Sequence, residues 1–150
     1  MTSFSIRPAT ESESQQIKRL VEKSGRWTDY WDSGLLLALF DADTDLTGWA
    51  RHWPTPQGRH GIMSVTIDER YRGKKLGLVL ISNLVASLPE VDRWHLDCAP
   101  NLAFYYARLG FRAVPRTECP EMFAPNDPVD QLCMACSQVD FRPFALYRAP

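Results

Sequence analysis

Residues 62–77 constrain this chain more than any other stretch. A strand-like apolar run over 62–67 passes through Arg72-Gly-Lys-Lys-Leu-Gly77 into a helix-like run over 76–88. A strand that enters a helix through such a turn leaves the first backbone N–H groups of the helix without partners. The helix dipole adds positive potential at the same end. Lys74 and Lys75 stand there too. Alone, each such cation costs about 0.3–1 kcal/mol, and against a diphosphate the sign reverses. The turn therefore asks for a phosphorylated ligand, and the fold must bring a strand end and a helix start to one rim.

The rest of the chain reads as a single mixed domain over residues 1–150. Phe4-Ser-Ile-Arg7 alternates and stops at Pro8, as a short strand does. Thr10-Glu-Ser-Glu13 is a capping box opening a helix with Ile17, Leu20 and Val21 on its apolar face and Gly25 as its stop. Runs 35–40 and 46–53 form a hairpin around Asp41-Ala-Asp-Thr-Asp45, and a third strand runs to Ile67 after the turn at 54–58. A strand over 94–98, a helix from an Asn101 cap to about Leu109, a strand over 111–114, a loop over 115–130 and a strand over 132–139 complete the order. This is an α/β plan of the α+β type: about seven strands in one mixed, mostly antiparallel sheet, flanked by about four helices. The aromatic tail over 141–150 either covers a sheet edge or pairs two protomers, so a homodimer is possible.

Composition excludes more than it selects. A net charge of −1 gives no electrostatic case for nucleic acid. No apolar run approaches the roughly 20 residues of a membrane span. Four cysteines behind a Met-Thr-Ser-Phe-Ser opening suggest reduced thiols in a cytoplasm. Cys133-Met-Ala-Cys136 has no second pair to complete a zinc set and reads as buried strand, so no metal is expected.

Two blocks resemble the GCN5-related N-acetyltransferase (GNAT) superfamily. Val65-Thr-Ile-Asp-Glu-Arg-Tyr-Arg-Gly-Lys-Lys-Leu-Gly77 is similar to the pyrophosphate loop and the strand before it. Leu96-Asp-Cys-Ala-Pro-Asn-Leu-Ala-Phe-Tyr-Tyr-Ala-Arg-Leu-Gly-Phe111 is similar to the block that ends Tyr-x-x-x-Gly-Phe. The resemblance implies acetyl-CoA as acyl donor and a primary amine as acceptor, attacked directly in a ternary complex. It implies that Val65, Thr66 and Ile67 pair with the pantetheine arm. It implies that Arg72, Gly73, Lys74, Lys75, Leu76, Gly77 and Leu78 surround the diphosphate. It also implies that Asn101 touches the cofactor and that Tyr106 lies by the thioester sulfur. Lys75 departs from the family pattern, which has glycine at its place. Two readings follow: a Lys75 already in right-handed helix that adds a phosphate contact, or a weakened site in a non-catalytic acyl-CoA-binding relative.

Acetyl transfer needs a proton taken from the ammonium, a donor for the developing oxyanion and a proton for the leaving thiolate. Tyr106 suits the last task, since a phenol stays protonated until the thiolate forms; Tyr105 competes for it. A strand backbone donor near Val65 suits the oxyanion. Asp97, on the strand that ends beside the cofactor, is the candidate base, ahead of His60, His52 and Ser64; His95 reads as structural. Trp27, Tyr30, Trp31 and Ser64 are the candidate acceptor contacts. With Trp49, Trp53 and Phe123, and the acids Asp29, Asp32, Glu118, Glu121, Asp127 and Asp130, they favour a cationic amine on a small molecule or a peptide. An acidic open groove would favour a protein N-terminus or lysine as acceptor, and a closed aromatic pocket a small molecule. A tRNA-directed transferase conflicts with the near-neutral charge.

Overall fold

A computed structural model of the chain describes residues 3–124 and 127–144. Seven strands form one sheet: β1 (Ser5–Pro8), β2 (Leu36–Phe40), β3 (Leu46–Pro54), β4 (His60–Ile67), β5 (Arg93–Cys98), β6 (Arg112–Val114) and β7 (Leu132–Ser137), in the order β1-β2-β3-β4-β5-β7-β6. Three α-helices accompany it among the described residues: α1 (Glu11–Lys23), α2 (Leu76–Ser87) and α3 (Ala103–Ala107). The expected fourth helix is absent from this part of the chain; short 3-10 turns stand at Glu69–Tyr71, Pro100–Leu102, Arg116–Glu118 and Pro120–Met122 instead.

Local chemistry sets the element ends. Thr10 caps α1, with its side chain accepting from Glu13 N–H and the Glu13 carboxylate accepting from Thr10 N–H at 2.8 Å. Arg7 grips the same carboxylate at 2.8 Å, and with Thr10 it holds Glu13 down to about 2. Asp41 organises the β2–β3 turn by accepting from the Asp43 and Asp45 N–H groups.

The strands alternate between two cores. Leu37, Leu39, Ala50, Ile62, Trp94, Leu96, Met134 and Cys136 face α2. Leu36, Trp53, Met63 and Cys133 join Ile17 and Val21 of α1 in the second cluster, with Trp31 and Met122. Cys133 and Cys136 therefore lie in different clusters, as strand parity requires of positions three apart, and both are buried small apolar groups rather than a chelating pair. Nine of the twelve α2 residues are buried, so this helix needs cover on its outer side as well. The chain after Asp140 supplies it. Arg142 N–H donates to Leu109 O at 2.8 Å, Phe144 N–H to Ser82 Oγ at 2.8 Å, and Phe141 meets Phe111 edge-on. The described part of the tail thus packs against its own helices; the rest of it lies outside the described residues.

The feature that positions the site is the β4–β5 junction. Every other neighbouring pair is antiparallel, but β4 and β5 run parallel and share one register pair, Gly61 with His95. Beyond that pair the two strands part, so residues 64–67 keep β3 on one side and have no strand on the other. The β3–β4 register also slips between Trp49 and Arg51, setting Ser64 and Val65 against Ala50. Ser64 takes φ 55 at this bulge. A bulge leaves its extra residue out of the ladder and re-aims the strand.

Candidate active site

The opening between β4 and β5 leads to a groove of about 420 Å³ at the start of α2, lined by Ile67, Tyr71, Arg72, Gly73, Lys75, Leu76, Gly77, Phe104, Tyr105 and Arg108. Its floor is built as the sequence suggests. Asp68 accepts from Arg70 N–H at 2.9 Å and caps a single 3-10 turn. Arg72 Nε donates to Ile67 O at 3.0 Å, which folds the loop back against β4. Tyr71 donates to Asp41 at 2.9 Å and pins the loop to the β2–β3 turn. No side chain caps α2, so its N-terminal N–H groups look into the groove. Nothing lies within 4 Å of where a Gly73 Cβ would stand.

Lys75 is not in right-handed helix. It is the N-cap of α2 in left-handed conformation, φ 61 and ψ 24. The chain must reverse from Gly73 (φ 81) into the helix, and that geometry, which glycine meets without strain, is imposed here on a lysine. Left-handed backbone at a non-glycine residue costs of order 1 kcal/mol or more. In return an ammonium stands at the helix start; Lys75 Nζ lies 5.9 Å from the Phe144 ring centroid and Lys74 Nζ 5.9 Å from that of Tyr71. An exposed cation pair, an uncapped helix and an open glycine are a donor set suited to a diphosphate.

The two tyrosines of α3 part company. Tyr105 lines the groove, where its hydroxyl lies 2.6 Å from the ideal Cβ position of Gly77; only glycine leaves that room. Burial raises its pKa, and the Leu78 backbone N–H opposes the rise. Tyr106 does not line the groove. Its phenol lies deeper, held protonated by burial first and then by Tyr105, Cys98 and Asp97. Asn101 belongs to the Pro100–Leu102 turn and does not cap α3 with its side chain; the α-helix starts two residues later because Pro100 opens a 3-10 turn first.

Asp97, on β5 beyond the parting, is held above the ordinary carboxylate range by burial; the Gln131 Nε2 bond at 3.0 Å opposes this and the Asp127 charge adds to it. Across the opening, Tyr30 and Ser64 share a hydrogen bond of 2.5 Å at the bulge. Burial raises the Tyr30 phenol as well. Trp27 is 40% exposed and lays its ring edge on Tyr30 and Trp53 at 5.3 and 5.4 Å. Trp31, expected among the acceptor contacts, fills the core instead at 1% exposure. Its indole N–H donates to Ser14 O and Oγ, and Arg51 lies over its ring at 4.6 Å.

Two acids expected near the acceptor are engaged elsewhere. Glu118 binds Arg93 Nε at 2.7 Å and His95 Nε2 at 2.9 Å, and these bonds overcome burial to keep its pKa low. Glu121 accepts from Arg59 at 2.9 Å and Thr55 at 2.8 Å. His60 is not a free hairpin-end residue: its Nδ1 bonds His52 Nε2 at 3.0 Å, with the rings stacked at 5.2 Å. Phe104, Arg108, Gln131 and Arg26 are site neighbours that pattern reading missed. The first two flank the Tyr-Tyr pair and could have been found from helical spacing.

A sheet parted between two parallel strands, with a bulge on one and an uncapped helix following it, defines a class of acyl-CoA-dependent acyltransferases. The acetyltransferase (GNAT) family model matches residues 4–111, more than half of the chain, and the protein belongs to that family. No curated protein matches it in sequence. Among solved structures it is similar to a GNAT-family acetyltransferase from Staphylococcus aureus Mu50, at 15% identity and TM-score 0.72 over 91% of this chain and 99% of that one. A GNAT acetyltransferase from Elizabethkingia anophelis with acetyl-CoA bound gives 15% identity and TM-score 0.65 over 89% and 97%. The N-acetylglutamate synthase of Neisseria gonorrhoeae, complexed with coenzyme A and N-acetyl-glutamate, gives 16% and 0.69 over 91% of this chain and 35% of that one. At these identities the likeness is one of fold. No helix among the described residues is long and apolar enough to cross a membrane.

Proposed function

We propose that this single domain is an N-acetyltransferase that moves an acetyl group from acetyl-CoA to a primary amine of a small molecule by direct attack. The observation that carries the reading is the continuity of the site. The stretch of β4 without a second neighbour begins at the bulge at Ser64 and ends at Ile67 in the groove at the α2 start, and Tyr106 adjoins Tyr105 of that groove and feels the Asp97 charge. Asp97 takes a proton from the acceptor ammonium, directly or through a water. A backbone N–H near Val65, freed by the bulge, faces the developing oxyanion. Tyr106 returns a proton to the departing thiolate, a task that its raised pKa serves by keeping the phenol protonated. Residues 72–78 hold the diphosphate, and Val65, Thr66 and Ile67 the pantetheine arm.

A small acceptor is favoured over a protein substrate because Glu118 and Glu121, paired with Arg93 and Arg59, do not make an acidic groove. What remains is Trp27, half-exposed over the buried rings of Tyr30 and Trp53. The test is thermal stabilisation by acetyl-CoA, followed by thiol release against amines. A rise in Tm with acetyl-CoA and thiol release with at least one amine are expected. No shift at millimolar acetyl-CoA would overturn the reading.

A further inference from the structure

Arg26 is a cation that the chemistry above leaves unused. After α1, Gly25 turns the chain at φ 84 and Arg26 N–H closes the turn on Val21 O at 3.3 Å. The next residue is Trp27, whose ring rests on Tyr30, and Tyr30 bonds Ser64 at the bulge. Arg26 therefore belongs to the α1–β2 loop that meets the bulge at Ser64, next to the half-exposed Trp27. Its charge reaches the side chains of Tyr30, Asp97 and Tyr106 alike. Arg7, Arg59, Arg70 and Arg93 each hold a carboxylate of their own chain. Among the described residues nothing holds the Arg26 guanidinium, and it is exposed. Asp97, the carboxylate that feels this charge, is held by Gln131 and feels the Asp127 charge as well.

We propose that the acceptor is a zwitterion, a primary amine with a carboxylate beside it as in a free α-amino acid, with Arg26 binding the carboxylate while the amine turns to Asp97. This rests on the acetyltransferase reading. A guanidinium fork matches a carboxylate in geometry and charge. A diamine or a lysine side chain would instead bring a second cation up to Arg26. A peptide N-terminus would present an amide in place of the carboxylate. Atoms balance as in the reaction above: the new N–C bond forms as the C–S bond breaks, the amine proton goes to Asp97, and the thiolate is protonated by Tyr106. Arg26 changes which amine is held and takes no part in the proton transfers.

The experiment follows thiol release from acetyl-CoA with the proteinogenic amino acids, each offered as the free acid, the α-amide and the decarboxylated amine. At least one free acid is expected to exceed its amide and its amine tenfold or more in kcat/KM. Arg26→Gln is expected to raise KM for that acid tenfold or more with kcat within twofold, erasing the preference, and Arg26→Lys to restore part of it. Folding of both variants is checked by the acetyl-CoA thermal shift. Amides or decarboxylated amines that match the free acids, or a preference that survives Arg26→Gln, would overturn the inference and leave the acetyltransferase reading standing. Thiol release with none of the amines would overturn the inference, and the absence of an acetyl-CoA thermal shift would overturn both.

Discussion

Replacing Lys75 by glycine should move stability and cofactor affinity in opposite directions. The side chain now sits on left-handed backbone, φ 61, at the N-cap of α2. Glycine adopts that conformation without the Cβ penalty, a relief of about 1 kcal/mol after its larger unfolded-state entropy is counted. Removing a cation from the positive end of the helix dipole adds roughly 0.3–1 kcal/mol in the same direction. For a 150-residue domain, 1 kcal/mol corresponds to about 2–4 °C in Tm, so Lys75→Gly without ligand should melt roughly 3–8 °C higher. The same change deletes an ammonium that would face the diphosphate. An exposed charge-assisted contact of about 1 kcal/mol corresponds to roughly a fivefold rise in Kd for acetyl-CoA. Lys75→Ala separates the causes, since alanine keeps the backbone strain and loses the charge; it should weaken binding equally with at most the smaller, dipole part of the Tm gain. Thermal melts without ligand and calorimetric titration with acetyl-CoA at one fixed salt concentration measure both. The reasoning is refuted if Lys75→Gly binds acetyl-CoA more tightly than the native chain, or if Lys75→Ala gains as much stability as Lys75→Gly.

Tyr106→Phe should keep the acetyl-CoA thermal shift and lose about 10²-fold or more in kcat; unchanged turnover would hand the proton to Tyr105 or to water. Asp97 has a folded pKa raised by burial, which penalises its charged form. Its stabilising contribution is full below the unfolded pKa of about 3.9 and is lost as pH rises through the folded value. Asp97→Asn should therefore raise Tm at neutral pH, lower turnover, and abolish an acidic limb of kcat/KM that lies above the usual carboxylate range. His52 runs the other way. Its pKa is lowered to about 4 by burial and then by His60, so the stability it contributes is present above about 6.5 and is lost as pH falls toward 4. The Tm difference between pH 7.5 and 5 should shrink in His52→Leu. Gly77→Ala puts a Cβ 2.6 Å from the Tyr105 hydroxyl and should cost about 1 kcal/mol, a loss that Tyr105→Phe recovers in the double variant.

Much of the architecture can be read from local chemistry. The Thr10–Glu13 box, the Asp41 turn, the strand parities and the run from Ile67 into α2 all rest on residues within a few positions of one another. The expectation of an anion at the start of α2 has the same origin, because an uncapped helix start is a local property. The acceptor side is less legible. Trp27 and Trp31 are near neighbours of similar character, yet one is at the rim and the other in the core, because only Trp31 meets Ser14 of α1 and Arg51 of β3. Glu118 and Glu121 read as loop acids until β5 and the β3–β4 hairpin bring Arg93, His95 and Arg59 to them.

The sequence by itself determined the element order, the mixed sheet and the turn that leads from β4 into α2, since each follows from hydrophobic period, capping or turn chemistry over a short span. Tertiary structure decided the conformation of Lys75, which of Tyr105 and Tyr106 faces the groove, and which charges stay free beside the opening. Those outcomes depend on contacts between segments far apart in the chain: the tail against α2, α3 against Gly77, and the α1–β2 loop against the bulge at Ser64. Periodicity carries no information about such distances, and close packing settles them only when the whole sheet is assembled.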